Sequence, residues 1–425
     1  MKNIIIILTL CIFILSCKKQ TSFLKLQESV CYTDSVIFLK DVSTTINDTV
    51  YLGDIIEDIK YISLDISNIE SLFQLQYTDS LIFASNNDSV FIFTQQGKQL
   101  NKIPLDFGCF DISENQNSIY TYVPLNKSLS CYDLSGKRLW TSRLQYKGKD
   151  IGTYGHSFVR ISDSLFAIAI QNQGFNTDRF ILVDKRGNIK EHVANPESFP
   201  NPDICYTSHT EWRRTLTRNG NRIFYHPLYG DTIYILNDSM KLEPYIIEQI
   251  VKKVPLEARP EYTGNNWKQF EKICRENNFQ VTRVFNTLRY VIVEYKLGHI
   301  SNCISNYWVY DKKEKLLKKT FNNLSESLSK GKAHFGIFNN YDGGLAFAPD
   351  FFSNRYLIMV NAGTLQGNKS VYAKQIYSHN LHMMKNKYKY RSDIYQNQEA
   401  KKKADDFWMN CDDKKLTLTI VKMKE

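Results

Sequence analysis

Short stretches in which apolar and polar residues alternate recur along the chain, each ended by a small polar turn. Leu81-Ile82-Phe83-Ala84 leads into Asn86-Asn87-Asp88, Val90-Phe91-Ile92-Phe93 runs on to Gln96-Gly97, and residues 98–103 follow. A second copy has residues 118–123 and 130–134, a turn at Ser135-Gly136, and residues 137–140. A third has residues 164–170 and 179–184, a turn at Arg186-Gly187, and residues 188–190. Alternation gives each strand one apolar face. Gly, Asn and Asp supply the backbone angles of a tight hairpin. Hairpins in series at a spacing of ~40–50 residues are the pattern of propeller blades.

Later copies are less regular. Residues 221–229 and 230–236 make a fourth, turning at Asn237-Asp238, and residues 305–311 and 315–321 fit a fifth. Residues 343–348, 355–360 and 415–421 supply strands for a sixth. Residues 36–39 or 60–64 are available to pair with that last blade, which closes the ring and removes exposed edges. The expected fold is all-β: a six-bladed β-propeller of antiparallel four-stranded blades over residues 49–425. Helical spacing appears in residues 265–277, where Trp267, Phe270, Ile273 and Cys274 share a face and Asn265 or Asn266 caps it. It predicts a short insertion lying on the propeller. A second inserted helix is expected over residues 370–384, and the Lys-rich residues 388–406 read as a solvated helix or loop.

The front of the chain follows a different rule. Lys2 precedes an apolar run over residues 4–15, and Ser16-Cys17 follows it. That is the build of a secretory signal peptide, too short to span a bilayer, which takes ~20 residues. Ile14-Leu15-Ser16-Cys17 resembles the lipobox of bacterial lipoproteins. The resemblance implies that Cys17 is lipidated and becomes the first residue of the mature chain. Residues 1–16 are then the signal and residues 17–48 a lipidated linker with a closing strand. The alternative is an ordinary signal peptide with an incidental cysteine. In related lipoproteins acidic residues after the cysteine direct export to the cell surface. Lys18-Lys19-Gln20 stands here instead, so the expected address is the outer membrane, facing the periplasm.

Composition narrows the classes further. The chain has 425 residues, 43% of them apolar, with 26 Tyr and 25 Phe, ample for a large core and rich in residues that favour strands. The formal charge is +10. The basic residues are scattered, with only short clusters at Lys312-Lys313 and Lys401-Lys402-Lys403, so a solvated surface is expected and nucleic acid is not a partner. Of nine cysteines, Cys11 leaves with the signal and Cys17 is the one expected to carry the lipid. Cys31, Cys109, Cys131, Cys205, Cys274, Cys303 and Cys411 remain, an odd and irregular set without a CxxC pair. It supports no zinc or thioredoxin-type motif; most of these are expected to be small core residues.

Candidates for chemistry are few. His379 and His382 lie three apart without a third ligand at useful spacing. No HExxH, GxSxG or phosphate-binding glycine loop occurs. Asp405-Asp406 and Asp412-Asp413 are neighbours in sequence, which does not set two carboxylates across a substrate. One group stands out: His209-Thr210-Glu211-Trp212-Arg213-Arg214, with His226 and Tyr229 nearby and Tyr154, His156 and Arg160 one blade earlier. Propeller loops converge at one mouth of the channel. Arginine there clamps a carboxylate or phosphate at two points, and Trp or Tyr stacks on a ring. The alternative is that Trp212 packs between blades beneath its arginines. No metal or cofactor is expected.

With these residues in view, the chain resembles the six-bladed β-propeller lipoproteins of gut and related Gram-negative bacteria, from Thr49 to the C-terminus. The resemblance rests on residues 50–64, on Phe93-Thr94-Gln95-Gln96-Gly97 and Tyr132-Asp133-Leu134-Ser135-Gly136, on residues 225–234, and on the closing residues 416–422. The Gly-Pro-Gly-rich stretch after the first blade is missing from residues 103–108, and Asp405-Asp406-Phe407-Trp408 replaces a terminal Asp-Asn-Pro type motif. The family implies a fold and an address but little chemistry. The reading is a monomeric, lipid-anchored scaffold that binds a ligand or protein partner. The alternative, on fold analogy alone, is a hydrolase or lyase acting on a sugar or lactone.

Overall fold

Each hairpin series predicted for the first three copies forms, and each gains one further strand on its inner side. The computed structural model describes residues 36–40, 50–67, 72–86, 88–146, 158–170, 178–194, 216–219, 222–226, 232–249, 272, 280–297, 304–319, 336–337, 339–343, 347–353, 355–361, 396–411 and 415–425. The chain divides into Met1–Ser35 and Val36–Glu425, and every described residue belongs to the second unit.

Strand β1 (Ile37–Lys40), a one-turn helix α1 (Leu52–Ile55) and β2 (Ile56–Ser67) precede the first blade. That blade is β3 (Gln74–Tyr77), β4 (Leu81–Ser85), β5 (Ser89–Thr94) and β6 (Gln99–Pro104). The second is β7 (Cys109–Ile112), β8 (Ser118–Val123), β9 (Ser128–Asp133) and β10 (Arg138–Arg143). The third is β11 (Phe158–Ser162), β12 (Leu165–Ala169), β13 (Asp178–Asp184) and β14 (Ile189–Ala194). The fourth is β15 (Leu216–Asn219), β16 (Arg222–Tyr225), β17 (Thr232–Leu236) and β18 (Leu242–Gln249). The fifth is β19 (Gln280–Asn286), β20 (Tyr290–Leu297), β21 (Ile304–Asp311) and β22 (Leu316–Lys319). The sixth begins with β23 (Phe351–Ser353) and β24 (Tyr356–Val360), and after helix α2 (Gln398–Asn410) it takes β25 (Lys415–Met423).

Strands within the first five blades pair in chain order, whereas the sixth runs β23-β24-β25-β2. Its outer strand therefore comes from the other end of the chain. Of the two segments available for closure, residues 60–64 perform it, with Lys60 opposite Ile420 and Leu64 opposite Leu416. Residues 37–40 go elsewhere: β1 lies parallel to β18, Ile37 opposite Ile246, as a fifth strand on the fourth blade. The result is the expected six-bladed β-propeller.

Three expectations are corrected. Residues 343–348 are not the first strand of the last blade. Phe347 makes only an isolated bridge to Ile337, and the short β23 takes the inner place. Over residues 388–406, the part described enters α2, whose Gln398, Glu399, Lys402, Lys403 and Asp406 are exposed as expected, but one side is not solvated. Ala400, Ala404 and Trp408, four apart on one side, are buried against the core. Asp405 and Asp406 sit on this helix rather than in a loop, with Lys401 paired to Asp405 at 2.5 Å. Residues 370–384 and, apart from Lys272, residues 265–277 lie outside the described residues.

The core lies between blades. Phe83, Ile92, Phe110 and Ile119 join the first to the second, and Tyr122, Phe158, Phe166 and Ile181 the second to the third. Each such side chain contributes ~1.5–3 kcal/mol on burial. Cys109 and Cys131 are buried among these residues, and Cys411 is half-buried.

The recurring glycine of the third turn has a second task. Gly97, Gly136 and Gly187 sit at φ 83°, 84° and 83°, a region closed to most side chains. A Cβ on Gly97 would stand 2.0 Å from the Ser63 carbonyl oxygen, and one on Gly187 2.2 Å from that of Arg143. The turns at Gly97 and Gly187 are thus pressed against the outer strand of the preceding blade, while Gly136 has ordinary contacts. Asp65 N–H donates to the Gly97 carbonyl at 2.7 Å, and Gln145 N–H to that of Gly187 at 2.8 Å.

The connections separate by face. First-to-second and third-to-fourth strand turns lie on one face, and none is longer than residues 113–117 or 237–241. The remaining connections leave from the opposite face and include residues 195–215, 250–279, 320–350 and 361–414. β1 runs from the turn face towards the loop face, parallel to β18.

Candidate binding site in the channel

The first strands of neighbouring blades touch around the axis, and they are short and polar. Gln74 and Gln76 on β3, Asp111 on β7, Arg160 on β11, Arg218 on β15, Arg283 on β19 and Ser353 on β23 line up around the channel. In a strand buried on one side only, such residues are tolerated if each finds a partner.

The partners come from the adjacent blade. Ser353 Oγ accepts from Tyr77 N–H at 3.0 Å and donates to the Tyr77 carbonyl at 2.8 Å, tying the last blade to the first. Gln74 Oε1 accepts from Phe110 N–H at 2.8 Å. Asn219 Nδ2 donates to the Asn286 carbonyl at 2.5 Å, joining the fourth and fifth blades. Arg283 reaches forward to the Pro349 carbonyl and Asp350 Oδ1, each at 3.1 Å, and its Nε lies 3.2 Å from Glu294. Burial opposes a charge on Arg283, but Glu294 and Asp350 outweigh it and hold the guanidinium charged.

Asp111 is the hub. It is 2% exposed. Its Oδ1 accepts from Gln76 Nε2 at 3.0 Å, Arg218 Nη2 at 3.0 Å and Ile112 N–H at 2.8 Å. Its Oδ2 accepts from Arg160 N–H at 2.7 Å. One carboxylate therefore gathers groups from four blades, the charge-assisted kind of bond. Such bracing holds the channel wall in one shape.

Of the residues singled out in sequence, Arg160 is in this wall. It is buried, and its Nε donates to the Ile112 carbonyl at 3.0 Å while Nη1 lies 3.4 Å from Asp163. Its guanidinium braces the second and third blades. His226 follows directly on β16 and is half-buried, at the loop-face end of the fourth blade. Cys17, His156, His209, Trp212, Arg213, Arg214 and Tyr229 lie outside the described residues, as do His379, His382, Asp412 and Asp413. Asp111, Arg218, Arg283 and Gln76 escaped the sequence reading. Their strands are too short and too polar to alternate; the available signal was Asp111 standing between apolar Phe110 and Ile112. Among the described residues no three His, Cys, Asp or Glu side chains converge as a metal site would require.

A closed ring of six antiparallel sheets, one of them extended by β1, with polar inner strands and the longer connections leaving from one face, defines a six-bladed propeller. The chain belongs to the family described as a domain of unknown function, DUF4934, whose model matches residues 35–392. It is similar in structure to a Bacteroides fragilis protein named "Putative exported protein", at a TM-score of 0.60 and 14% identity, over 92% of this chain and 100% of that one. A member of the DUF4221 family from Bacteroides vulgatus aligns at a TM-score of 0.49 and 12% identity, over 87% and 98% of the two chains. The first likeness is one of fold. No curated protein matches the chain.

Proposed function

We propose that this protein is an exported, membrane-anchored binding scaffold that holds its ligand over and within the propeller channel. The observation that carries this reading is the division of the faces. Turns on one side are minimal, whereas the long connections leave the strands on the other, and the polar inner strands are already braced to one another. Loops set on a rigid frame are where binding residues concentrate, and a preformed wall lowers the ordering cost of binding. His209, Trp212, Arg213 and Arg214 belong to the connection between the third and fourth blades, which leaves from that side.

Export and anchoring rest on the first seventeen residues and fit a neighbour named as an exported protein. Lipid on Cys17, with two acyl chains or more, holds the protein to the outer membrane, on its periplasmic side.

Two experiments test this. In a Gram-negative host the native chain is expected in the membrane fraction and Cys17→Ser in the soluble fraction; equal distribution overturns the anchoring. A thermal-shift screen of small carboxylates, uronic acids and peptides is expected to find a stabilising ligand whose effect falls in the Arg213→Ala, Arg214→Ala double variant. At a hundredfold excess over Kd the gain is ~2.7 kcal/mol. No stabilising compound, or an effect untouched by the double variant, counts against the loop-face site.

A further inference from the structure

We infer that Arg218 anchors a carboxylate-bearing small molecule in the channel, an inference that rests on the scaffold reading and names the chemistry of its ligand. Arg218 stands on the inner strand of the fourth blade, with its side chain 22% exposed. Among the described residues only its Nη2 is engaged, at 3.0 Å from Asp111 Oδ1. Among the described residues its Nε and Nη1 meet no acceptor. The other two channel arginines differ. Arg160 is bonded through Nε and Nη1 to the wall, and Arg283 is held by Glu294, Asp350 and the Pro349 carbonyl. Arg218 alone of the three keeps most of its fork available.

The single contact that Arg218 makes also fixes its position. Asp111 is held by Gln76 and two backbone N–H groups besides Arg218, so it cannot turn away. A guanidinium clamped at one nitrogen presents its other donors in a fixed plane, the arrangement that matches a carboxylate at two points. Asp111 also limits the ligand: a dianion such as phosphate would meet its charge close by, whereas a carboxylate carries half as much. Size is limited too. Ser353 with Tyr77, Gln74 with Phe110, and Asp111 with Arg160 tie inner strands side to side, so the channel does not open to admit a folded partner.

The test is calorimetry on the mature protein with the monocarboxylates galacturonate, lactate and acetate, and with inorganic phosphate, as probes. Saturable binding of at least one carboxylate is expected, with Arg218→Gln weakening it ~10- to 100-fold, the range of a lost charged hydrogen bond. Arg218→Lys keeps a charge beside Asp111 without the planar fork, and serves if the glutamine variant does not fold; it is expected to weaken binding as well. Unchanged affinity in the folded variant, or binding of phosphate but no carboxylate, overturns the inference. A carboxylate that binds equally well without Arg218 leaves the scaffold reading standing and removes only this site. Failure of every ligand class in the wider screen removes both.

Discussion

Gly97 and Gly136 hold the same turn position and nearly the same φ, yet a methyl group affects them differently. At Gly136 the nearest atom to a Cβ would be Asn101 Nδ2 at 3.4 Å, an ordinary contact. Only the left-handed backbone then resists, at ~1–2 kcal/mol. At Gly97 the Ser63 carbonyl adds a clash that backbone must move to relieve. Urea unfolding is expected to show Gly97→Ala losing clearly more stability than Gly136→Ala; equal losses would mean that the turns do not bear on the neighbouring blade. The equivalent turn of the fifth blade uses exposed Lys315 at φ 52°. Asp184 shows the same turn chemistry in electrostatic form. Burial opposes its charge, but N–H groups of Asn188 and Arg186, with the Asn188 and Lys190 side chains, bring its pKa down to about 2. A carboxylate lowered on folding stabilises above its unfolded pKa and loses that contribution as pH falls through the folded value. The stability gap between the wild type and Asp184→Ala should therefore be full at neutral pH. It should shrink between pH 3.8 and about 2. A gap constant over that window would refute the account.

At the scale of elements, α2 shows how a charged sequence hides a buried face. Asn397 caps it, accepting from Ala400 N–H at 2.9 Å. Trp408, 3% exposed, meets Tyr61 of the closing strand edge-on at 5.4 Å between ring centres. Trp408→Ala is expected to cost ~3–5 kcal/mol, and Asn397→Ala ~1 kcal/mol, by thermal or urea unfolding. A surface helix would lose under ~0.5 kcal/mol in the first case. The Lys-rich composition concealed the buried side of this helix because its apolar stripe is narrow: Ala400 and Ala404 are small, and only Trp408 is large. The same logic explains what else was legible. The second and third strands of the first blades are buried on both sides, as in Ser89–Thr94, so the one apolar face expected from alternation does not hold there, while the turn residues between the strands still mark the hairpins. The inner strands carry Gln74, Gln76, Asp111, Arg160 and Arg218 because they face the channel. Thus the hairpins that make the fold could be read directly, while the strands that make the candidate site could not.

For the whole molecule, closure decides stability. The β2–β25 pairing extends from Ile56 opposite Met423 to Ser67 opposite Lys415, and it contributes to the cores on either side of the last blade. A chain ending at residue 414 lacks not an edge strand but the one between β24 and β2. It is expected to lose cooperative unfolding in calorimetry; a single sharp transition close to that of the full chain would contradict the role given to closure. Inter-blade bonds repeat this dependence at smaller scale. Tyr120 donates to Asp163, and Tyr356 to Asp79, each at 3.0 Å, from the second strand of one blade to the first turn of the next.

A latch made from the two ends of a chain need not close on itself. Until β25 is in place, β2 and β24 both present bare backbone, and a second copy carries the same missing piece. At high concentration during refolding, one molecule can lend its last strand to another and receive one in return. The ring that suppresses aggregation once shut therefore offers, while ajar, a route to exchanged pairs whose blades are native but whose ownership is not.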